Sequence, residues 1–226
     1  MKYAILIPAF NAASTLPDLL NQISLYPVKP EKIVVIDDGS EDGTAGAVNG
    51  NPDALVRSFD KNRGKGAALK AGFEIIMKET HADYVLCMDA DLQHPVESIS
   101  KFLEKAVNEK SDFIIGNRIK KPGLMPVHRI LSNRITSWFI SRLTGQQIRD
   151  SQCGYRMLRR NVLDRLHLRE TGFQFESEMI IQAARNGYRI DSVDIPTVYH
   201  SDRSHIRNFL DTFKFIRLVV RESLGR

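Results

Sequence analysis

The sequence predicts an α/β protein built on a mostly parallel central sheet with helices on both faces. In the first half, short apolar runs rich in Val, Ile and Leu alternate with longer segments of helical periodicity, as in β-α-β units. Polar or glycine-rich residues follow the first four runs, as strand-to-helix loops do. The 226 residues are 42% hydrophobic and 26% charged, which suits one well-filled soluble domain.

Each predicted element has its own sequence signal. The predicted strands of the first half are the apolar runs at residues 3–8, 32–37, 55–59, 83–89 and 112–116. The predicted helices between them are at residues 15–25, 64–79 and 95–108. In the less regular second half we expect helices at residues 129–144 and 177–186, a strand at 189–199 and a closing helix at 205–224. No repeat or linker interrupts the chain, so residues 1–226 are expected to form a single domain.

The charge is distributed unevenly between the two halves. Residues 1–117 carry 12 Lys/Arg and 17 Asp/Glu, a net charge of −5, whereas residues 118–226 carry 20 and 10, a net charge of +10. The basic half is either an ordinary solvated surface or one that meets phosphate, anionic lipid or nucleic acid. No nucleic-acid recognition motif is present, and the acidic loops of the first half oppose such a partner.

Cysteine content and hydropathy indicate a cytoplasmic protein. Cys87 and Cys153 are too few for a disulfide framework and lack metal-ligand spacing, so we expect reduced thiols in the core. No run of about 18 apolar residues occurs, and the first apolar run is too short for a signal peptide.

Four consecutive predicted strands are followed by polar or glycine-rich loops. Their sequences are PAFN (8–11), DDGSEDGT (37–44), NRGKGAA (62–68) and DADLQHP (89–95). In open α/β sheets, ligands bind beyond the carboxyl ends of the strands. These loops therefore predict a binding site at that edge of the sheet.

The residue types in these loops suit a diphosphate and a hard cation. Lys65, between two glycines at a helix start, could face a phosphate. Asp89 and Asp91 would lie on the same side of an extended chain, where they repel each other unless a cation lies between them. Oxygen ligands with the carboxamide of Gln93 nearby suit Mg²⁺ or Mn²⁺ bridging to a diphosphate.

Taken in order and spacing, these four motifs resemble those of family-two glycosyltransferases with the GT-A nucleotide-diphosphosugar fold. Within that family the chain is most similar to polyprenyl-phosphate sugar transferases such as dolichol-phosphate mannose synthase. The second half carries further similar motifs: DFIIGNR (112–118), QCGYRMLRRNVL (152–163), GFQFESEM (172–179) and NGYRIDSVDIPTVYH (186–200). Residues 1–117 would form the nucleotide-sugar half and residues 118–226 the acceptor half.

The resemblance implies roles for individual residues. The nucleotide pocket would be lined by Pro8, Phe10, Asn11, Asp37, Asp38, Lys65 and Asp89. The metal, Mg²⁺ or Mn²⁺, would be held by Asp89, Asp91 and Gln93. Arg118 and Arg129, after the fifth strand, would bind an acceptor phosphate. A loop with His200 or Arg203 would approach the diphosphate, the alternative being a surface loop without a ligand.

The acceptor decides which further residue is catalytic. A polyprenyl phosphate attacks through its own anionic oxygen, whereas a hydroxyl needs a carboxylate that takes its proton. Glu176 stands where relatives that use hydroxyl acceptors place this base, and Glu178 either assists or stabilises the helix start.

The predicted function is metal-dependent, inverting transfer of a sugar from a UDP- or GDP-sugar to a polyprenyl phosphate. The alternatives are transfer to a hydroxyl of a cell-surface glycan and a nucleotide-sugar-binding module without turnover. A lipid acceptor would bring the enzyme to the inner face of the cell membrane. Residues 129–142 and 205–226 have the basic amphipathic pattern of peripheral contact with anionic lipid, or of ordinary core helices with solvated arginines.

Overall fold

A seven-stranded sheet forms the centre of the fold in a computed structural model that describes residues 1–48, 51, 53–119, 125–172 and 174–198. The strands are β1 (Tyr3–Ala9), β2 (Lys32–Asp37), β3 (Ala54–Ser58), β4 (Tyr84–Cys87), β5 (Phe113–Arg118), β6 (Arg156–Arg159) and β7 (Ile190–Ile195). Their order is β3-β2-β1-β4-β6-β5-β7, and all neighbouring pairs are parallel except those of β6 with β4 and β5. The predicted mostly parallel α/β fold is confirmed.

Helices cover both faces of this sheet. They are α1 (Leu16–Leu25), α2 (Lys65–Glu79), α3 (Ile99–Asn108), α4 (Val127–Thr144), α5 (Arg160–Leu163) and α6 (Gln174–Arg185). All four residues of β4 are buried, and so are nearly all residues of β1 and β2. Because successive side chains of a strand point to opposite faces, burial at consecutive positions requires cover on both faces.

Two glycines allow the close contacts that position the loops beyond the strand ends. Gly39 follows β2 with φ +72°, and a Cβ there would lie 2.4 Å from the backbone of Lys61. Gly64 precedes α2 with φ +93°, and a Cβ there would lie 2.6 Å from the carbonyl oxygen of Thr171. Both positions need the conformational freedom and the small size of glycine.

The structure differs from the sequence prediction by more than two residues at several elements. α3 begins at Ile99 rather than at residue 95, β7 ends at Ile195 rather than at residue 199, and the short helix α5 was not predicted.

Three further differences bear on the site. The strand β6 was not predicted, because only four residues form it and an arginine stands at each end. The strand predicted at residues 83–89 ends at Cys87, so Asp89 lies in the following turn rather than in an extended chain. The helix predicted at residues 177–186 begins at Gln174, which places Glu176 in its first turn.

Two further predictions concern the membrane and the chain's last residues. Among the residues described by the structure, no helix is both long enough and apolar enough to cross a bilayer. The predicted closing helix at residues 205–224 lies outside the described residues.

Candidate active site

The loops after β1 and β2 are joined through Asn11. The backbone amide of Asn11 donates to the Oγ of Ser40 at 2.9 Å, and its side-chain Oδ1 accepts from the amide of Glu41 at 3.1 Å. Asn11 has a φ of +51°, a conformation that asparagine adopts more readily than most residues. Pro8 is half-buried and the ring of Phe10 is 39% exposed beside this junction. The predicted nucleotide-pocket residues of the first motif therefore lie at the carboxyl edge of the sheet, as expected.

Asp37 and Asp38 are buried at the end of β2. Asp37 accepts a hydrogen bond from the amide of Ser40 at 3.0 Å. The two oxygens of Asp38 accept from the amides of Arg63 and Gly64, at 2.7 and 2.9 Å. Burial raises the pKa of Asp38. Asp38 thus ties the loop after β2 to the start of α2, a structural role beside the nucleotide-binding role predicted for the pair.

Lys65, at the first position of α2, lies between two carboxylates. Its Nζ is 2.6 Å from Oδ1 of Asp89 and 2.8 Å from Oε1 of Glu176. Burial acts to raise the pKa of Asp89, but the neighbouring positive groups, Lys65 first among them, together lower that pKa to about 2. Asp89, which follows β4, and Glu176, in the first turn of α6, are thereby brought together across 87 positions of the chain.

Gly154 makes room for this ion pair. A Cβ at this position would lie 2.6 Å from Oδ2 of Asp89 and 2.8 Å from Nζ of Lys65. Arg156, two residues on and buried, donates to the carbonyl oxygens of Cys153, Glu176 and Ser151 at 2.6, 2.7 and 2.7 Å. Arg156 therefore anchors both the loop containing Gly154 and the first turn of α6.

The turn after Asp89 contains one strained residue and is held by hydrogen bonds that Asp91 and His94 accept. Leu92 has a φ of +61°, and Asp91 Oδ1 accepts from the amide of Gln93 at 3.0 Å. The amide of Asp89 donates to Nδ1 of His94 at 2.9 Å, so that nitrogen carries no proton. Burial lowers the pKa of His94, which favours the neutral imidazole. Its ring stacks on Tyr155, with centroids 4.8 Å apart.

The charges at this turn suit a divalent cation. Burial and the neighbouring charge of Asp89 raise the pKa of Asp91, so a cation bound beside it would stabilise its carboxylate form. Among the described residues, no cluster of three or more His, Cys, Asp or Glu side chains could hold a metal ion. A metal here would therefore take Asp89 and Asp91 as its carboxylate ligands and complete its coordination with diphosphate and water oxygens, as Mg²⁺ often does.

Glu178 has a role in holding the chain before α6. Its carboxylate is fully buried, and Oε2 accepts from the amides of Arg169 and Glu170, both at 2.9 Å. This bonding organises the preceding segment rather than the helix start itself. Thr171 in that segment accepts a hydrogen bond from the amide of Gly66 at 2.7 Å, which joins it to α2.

The arginines predicted to bind an acceptor phosphate lie at the end of β5 and in the first turn of α4. Arg118 makes a two-point ion pair with the buried carboxylate of Asp150, at 2.8 and 2.9 Å. Asp150 also accepts from the amide nitrogen of Asn133 on α4. Arg129 is half-buried in the first turn of α4. His200 and Arg203 lie outside the described residues.

Sequence reasoning missed Asp150, Gly154 and Arg156. The motif QCGYRMLRRNVL contains the last two, and its Gly-Tyr-Arg sequence was the available signal. Their partners are distant in the chain: Asp150 meets Arg118, Gly154 makes room for the Lys65 pair, and Arg156 reaches Glu176.

The chain is similar to sugar transferases in sequence and in structure. The family model for glycosyl transferase family 2 matches residues 4–166. The chain is 28% identical over 245 aligned positions to the UDP-N-acetylglucosamine–dolichyl-phosphate N-acetylglucosaminyltransferase of Methanococcus voltae, across 98% of this chain and 96% of that protein. It is 30% identical over 206 positions to the polyprenol monophosphomannose synthase of Mycolicibacterium smegmatis, across 86% and 76%.

Solved structures share the fold at lower sequence identity. Glucosyl-3-phosphoglycerate synthase from Mycobacterium tuberculosis, in complex with uridine diphosphate, has a TM-score of 0.76 at 19% identity, across 98% of this chain and 79% of that one. Mannosyl-3-phosphoglycerate synthase from Rubrobacter xylanophilus has a TM-score of 0.73 at 20% identity, across 99% and 74%. The chain therefore belongs to glycosyltransferase family 2 and is an enzyme with the GT-A fold.

Proposed function

We propose that the enzyme transfers a sugar from a UDP- or GDP-sugar to a polyprenyl phosphate, with inversion at the anomeric carbon and with Mg²⁺ or Mn²⁺ as cofactor. The observation that carries this proposal is that the two carboxylates that could act as a general base, Glu176 and Glu178, already accept hydrogen bonds within the protein. Glu176 is buried and accepts from Lys65, and Glu178 accepts from two backbone amides. A hydroxyl acceptor needs a carboxylate that is available to take its proton, whereas a phosphate brings its own nucleophilic anion.

The relatives support the same acceptor class. The relative at 28% identity is named as a dolichyl-phosphate N-acetylglucosaminyltransferase, and the relative at 30% identity as a polyprenol monophosphomannose synthase. Glucosyl-3-phosphoglycerate synthase structures have been solved with Mn²⁺ or Mg²⁺ and uridine diphosphate, which supports a divalent ion at a nucleotide.

The proposed mechanism assigns the chain's own residues to binding and orientation. Asp89 and Asp91 would hold the metal, which when bound supplies positive charge to the leaving diphosphate. Lys65 lies beside Asp89 and adds a fixed ammonium at the start of α2, where the helix dipole also favours an anion. Residues Pro8, Phe10, Asn11 and Asp37 would surround the base and ribose.

We assign the binding of the acceptor phosphate to Arg118, at the end of β5, and Arg129, in the first turn of α4. Arg118 is fixed by Asp150, and the planar guanidinium of an arginine has donors beyond the two that this ion pair uses. With Arg129 it would bind the acceptor phosphate and direct one phosphate oxygen toward the sugar. We place this reaction at the cytoplasmic face of the cell membrane.

The test is a transfer assay with UDP- and GDP-sugars, with and without polyprenyl phosphate, in Mg²⁺, Mn²⁺ or chelator. We expect a glycosyl-phosphate lipid only when lipid phosphate and divalent ion are both present, and proton NMR should show an inverted anomeric configuration. Transfer to sugar hydroxyls without lipid phosphate would overturn the acceptor assignment.

The metal site is tested by Asp91→Ala, with Asp164→Ala at an exposed position after α5 as the matched control. Calorimetric titration with nucleotide should show that Mn²⁺ strengthens binding to the wild type and to the control but not to Asp91→Ala. An unchanged dependence on Mn²⁺ in Asp91→Ala would contradict the metal assignment.

A further inference from the structure

The helix α4 lacks the usual separation into an apolar inner face and a polar outer face: Ile130 and Ile140 are buried beside polar residues, and several large apolar residues are exposed. Its buried side includes two polar side chains, Asn133 and Ser137, which are 1% and 4% exposed. Its exposed side carries large apolar residues at the spacing of one helical face: Val127, Leu131, Ile135, Trp138 and, beside them, Phe139. Leu131 is 58% exposed and Trp138 is 62% exposed. The exposed face of a helix in a water-soluble domain is normally polar, so this face needs an apolar environment of its own.

The buried polar residues explain how α4 keeps its orientation. The hydroxyl oxygen of Ser137 accepts from the amide of Ser151 at 2.9 Å, and Asn133 donates to Asp150. These bonds are satisfied only with this side of the helix turned inward. Turning the apolar side inward would leave the buried carboxylate of Asp150 without its Asn133 donor, which is costly.

The charged residues of α4 itself are all basic. Residues 127–144 contain no aspartate or glutamate but include Arg129, Arg134 and Arg142. Arg134, together with Ile135, Trp138 and Phe139, lines a shallow depression on this surface. Long arginine side chains can lie along apolar groups while the guanidinium reaches lipid headgroups, and tryptophan favours the membrane interface. An acidic lipid surface complements this combination of charge and apolar area.

The position of α4 connects this face with the proposed acceptor site. Arg118, at the end of β5, is bound to Asp150, and Asp150 is bound to Asn133 on the inward side of α4. The helix therefore has the acceptor-site arginine on one side and the apolar face on the other.

We propose that the exposed face of α4, formed by Val127, Leu131, Ile135, Trp138 and Phe139, inserts into the interface of an anionic bilayer and so presents the active site to lipid-borne phosphate. The role of this face in presenting lipid-borne phosphate rests on the proposed function, but the binding of the face to a bilayer can be measured without any sugar transfer.

The sequence supplies a direct probe, because Trp138 is its only tryptophan. Full-length protein is mixed with vesicles of phosphatidylcholine with phosphatidylglycerol, or of phosphatidylcholine alone. We expect the Trp138 emission to shift to shorter wavelength with the acidic vesicles, and bromine-labelled lipid chains to quench it. Added salt should weaken binding, because the arginines contribute through charge.

A double variant tests the apolar face, and a second double variant is its control. Leu131→Glu with Ile135→Glu should weaken vesicle binding by about tenfold or more for each apolar side chain removed from lipid. Leu25→Glu with Val28→Glu changes two other exposed apolar residues, on and after α1, and should bind like the wild type. Circular dichroism confirms that both variants are folded.

The outcomes separate this inference from the proposed function. The variant with Leu131→Glu and Ile135→Glu should lose transferase activity on polyprenyl phosphate in vesicles. The same variant should retain transferase activity on a short, water-soluble prenyl phosphate. If Trp138 inserts into acidic vesicles but no sugar is transferred to polyprenyl phosphate, the membrane-binding role of α4 is supported and the proposed transferase function is overturned. If the Trp138 emission does not shift with acidic vesicles at low salt, the proposal that the α4 face binds a membrane is overturned. An emission that is already shifted without lipid would overturn it too, because it would indicate that residues 199–226 or a second copy cover the face.

Discussion

Glu176 is the residue at which the two acceptor chemistries make different predictions. In Glu176→Gln, the amide oxygen can still accept from Lys65, and Asp89 still pairs with the same ammonium. We therefore expect transfer to polyprenyl phosphate to stay within about tenfold of the wild type, whereas loss of a general base would cost about 10²-fold or more. Steady-state rates on lipid-phosphate and sugar-hydroxyl acceptors provide the measurement. A large loss on the phosphate acceptor, with an unchanged melting temperature, would contradict direct attack.

The two thiols are predicted to be inert in the folded protein. Cys87 and Cys153 are 3% and 0% exposed, and burial raises the pKa of each to about 12. Because the thiolate is the reactive form, alkylation at pH near 8 should be slow in the native state and complete in denaturant. Mass spectrometry of iodoacetamide-treated protein measures this, with a solvent-exposed peptide thiol as the reactivity control. Rapid native labelling of either residue would contradict the burial.

Residue types predicted the charged centre of the site, but not its supports. Asp89, Asp91 and Lys65 were singled out because they follow predicted strands or open a predicted helix, whereas Glu176 was singled out by the family resemblance. The structure brings Asp89, Lys65 and Glu176 into direct contact. Gly154 and Asp150 carry no such signal. Gly154 matters through the space that it leaves, and Asp150 through an ion pair with Arg118, 32 positions earlier.

At the scale of elements, the buried carboxylate of Glu178 holds part of the segment between α5 and α6, beside Gln182, which bonds to the backbone of His167. Glu178 accepts the amides of Arg169 and Glu170, so Glu178→Ala removes the acceptor for both. We expect the free energy of unfolding to fall by about 1–3 kcal/mol and the segment to open locally. Limited trypsin digestion should then cleave faster after Arg165 and Arg169, as read by mass spectrometry.

The matched control for this prediction is Glu104→Ala, at an exposed position of α3. This variant should show the wild-type cleavage pattern. Faster cleavage at all sites in Glu178→Ala, rather than at these two arginines, would indicate global unfolding and contradict a local role.

Long, periodic elements could be predicted from the sequence, and short ones that depend on tertiary contacts could not. The predicted boundaries of β1, β2, α1 and α2 differ from the structure by at most one residue. β6 has four residues and forms only because β4 and β5 offer their edges on either side. α6 begins earlier than predicted, at Gln174. Its burial is nearly complete from Gln174 to Ile181, so its residues show little amphipathic contrast.

At the scale of the whole molecule, the position of β6 predicts that the two halves fold together. Residues 156–159 come from the second half of the chain, yet β6 lies between β4 and β5 of the first half. In a fragment of residues 1–117, β4 and β5 would lack their shared neighbour, and β5 would also lack β7. We therefore propose that residues 1–226 form one cooperative domain rather than two units that fold separately.

Urea unfolding of the full chain tests this proposal by hydrogen exchange and mass spectrometry. Amides of β2 in the first half and of α6 and β7 in the second half should lose protection at the same urea concentration, because a shared sheet cannot open in one half alone. Far-UV circular dichroism should give a transition with the same midpoint. As a further check, the 1–117 fragment should show no cooperative transition. Loss of protection in α6 and β7 well before β2, or a folded fragment, would contradict the single domain, because either result would show that β1 to β4 are stable without the strand inserted beside them.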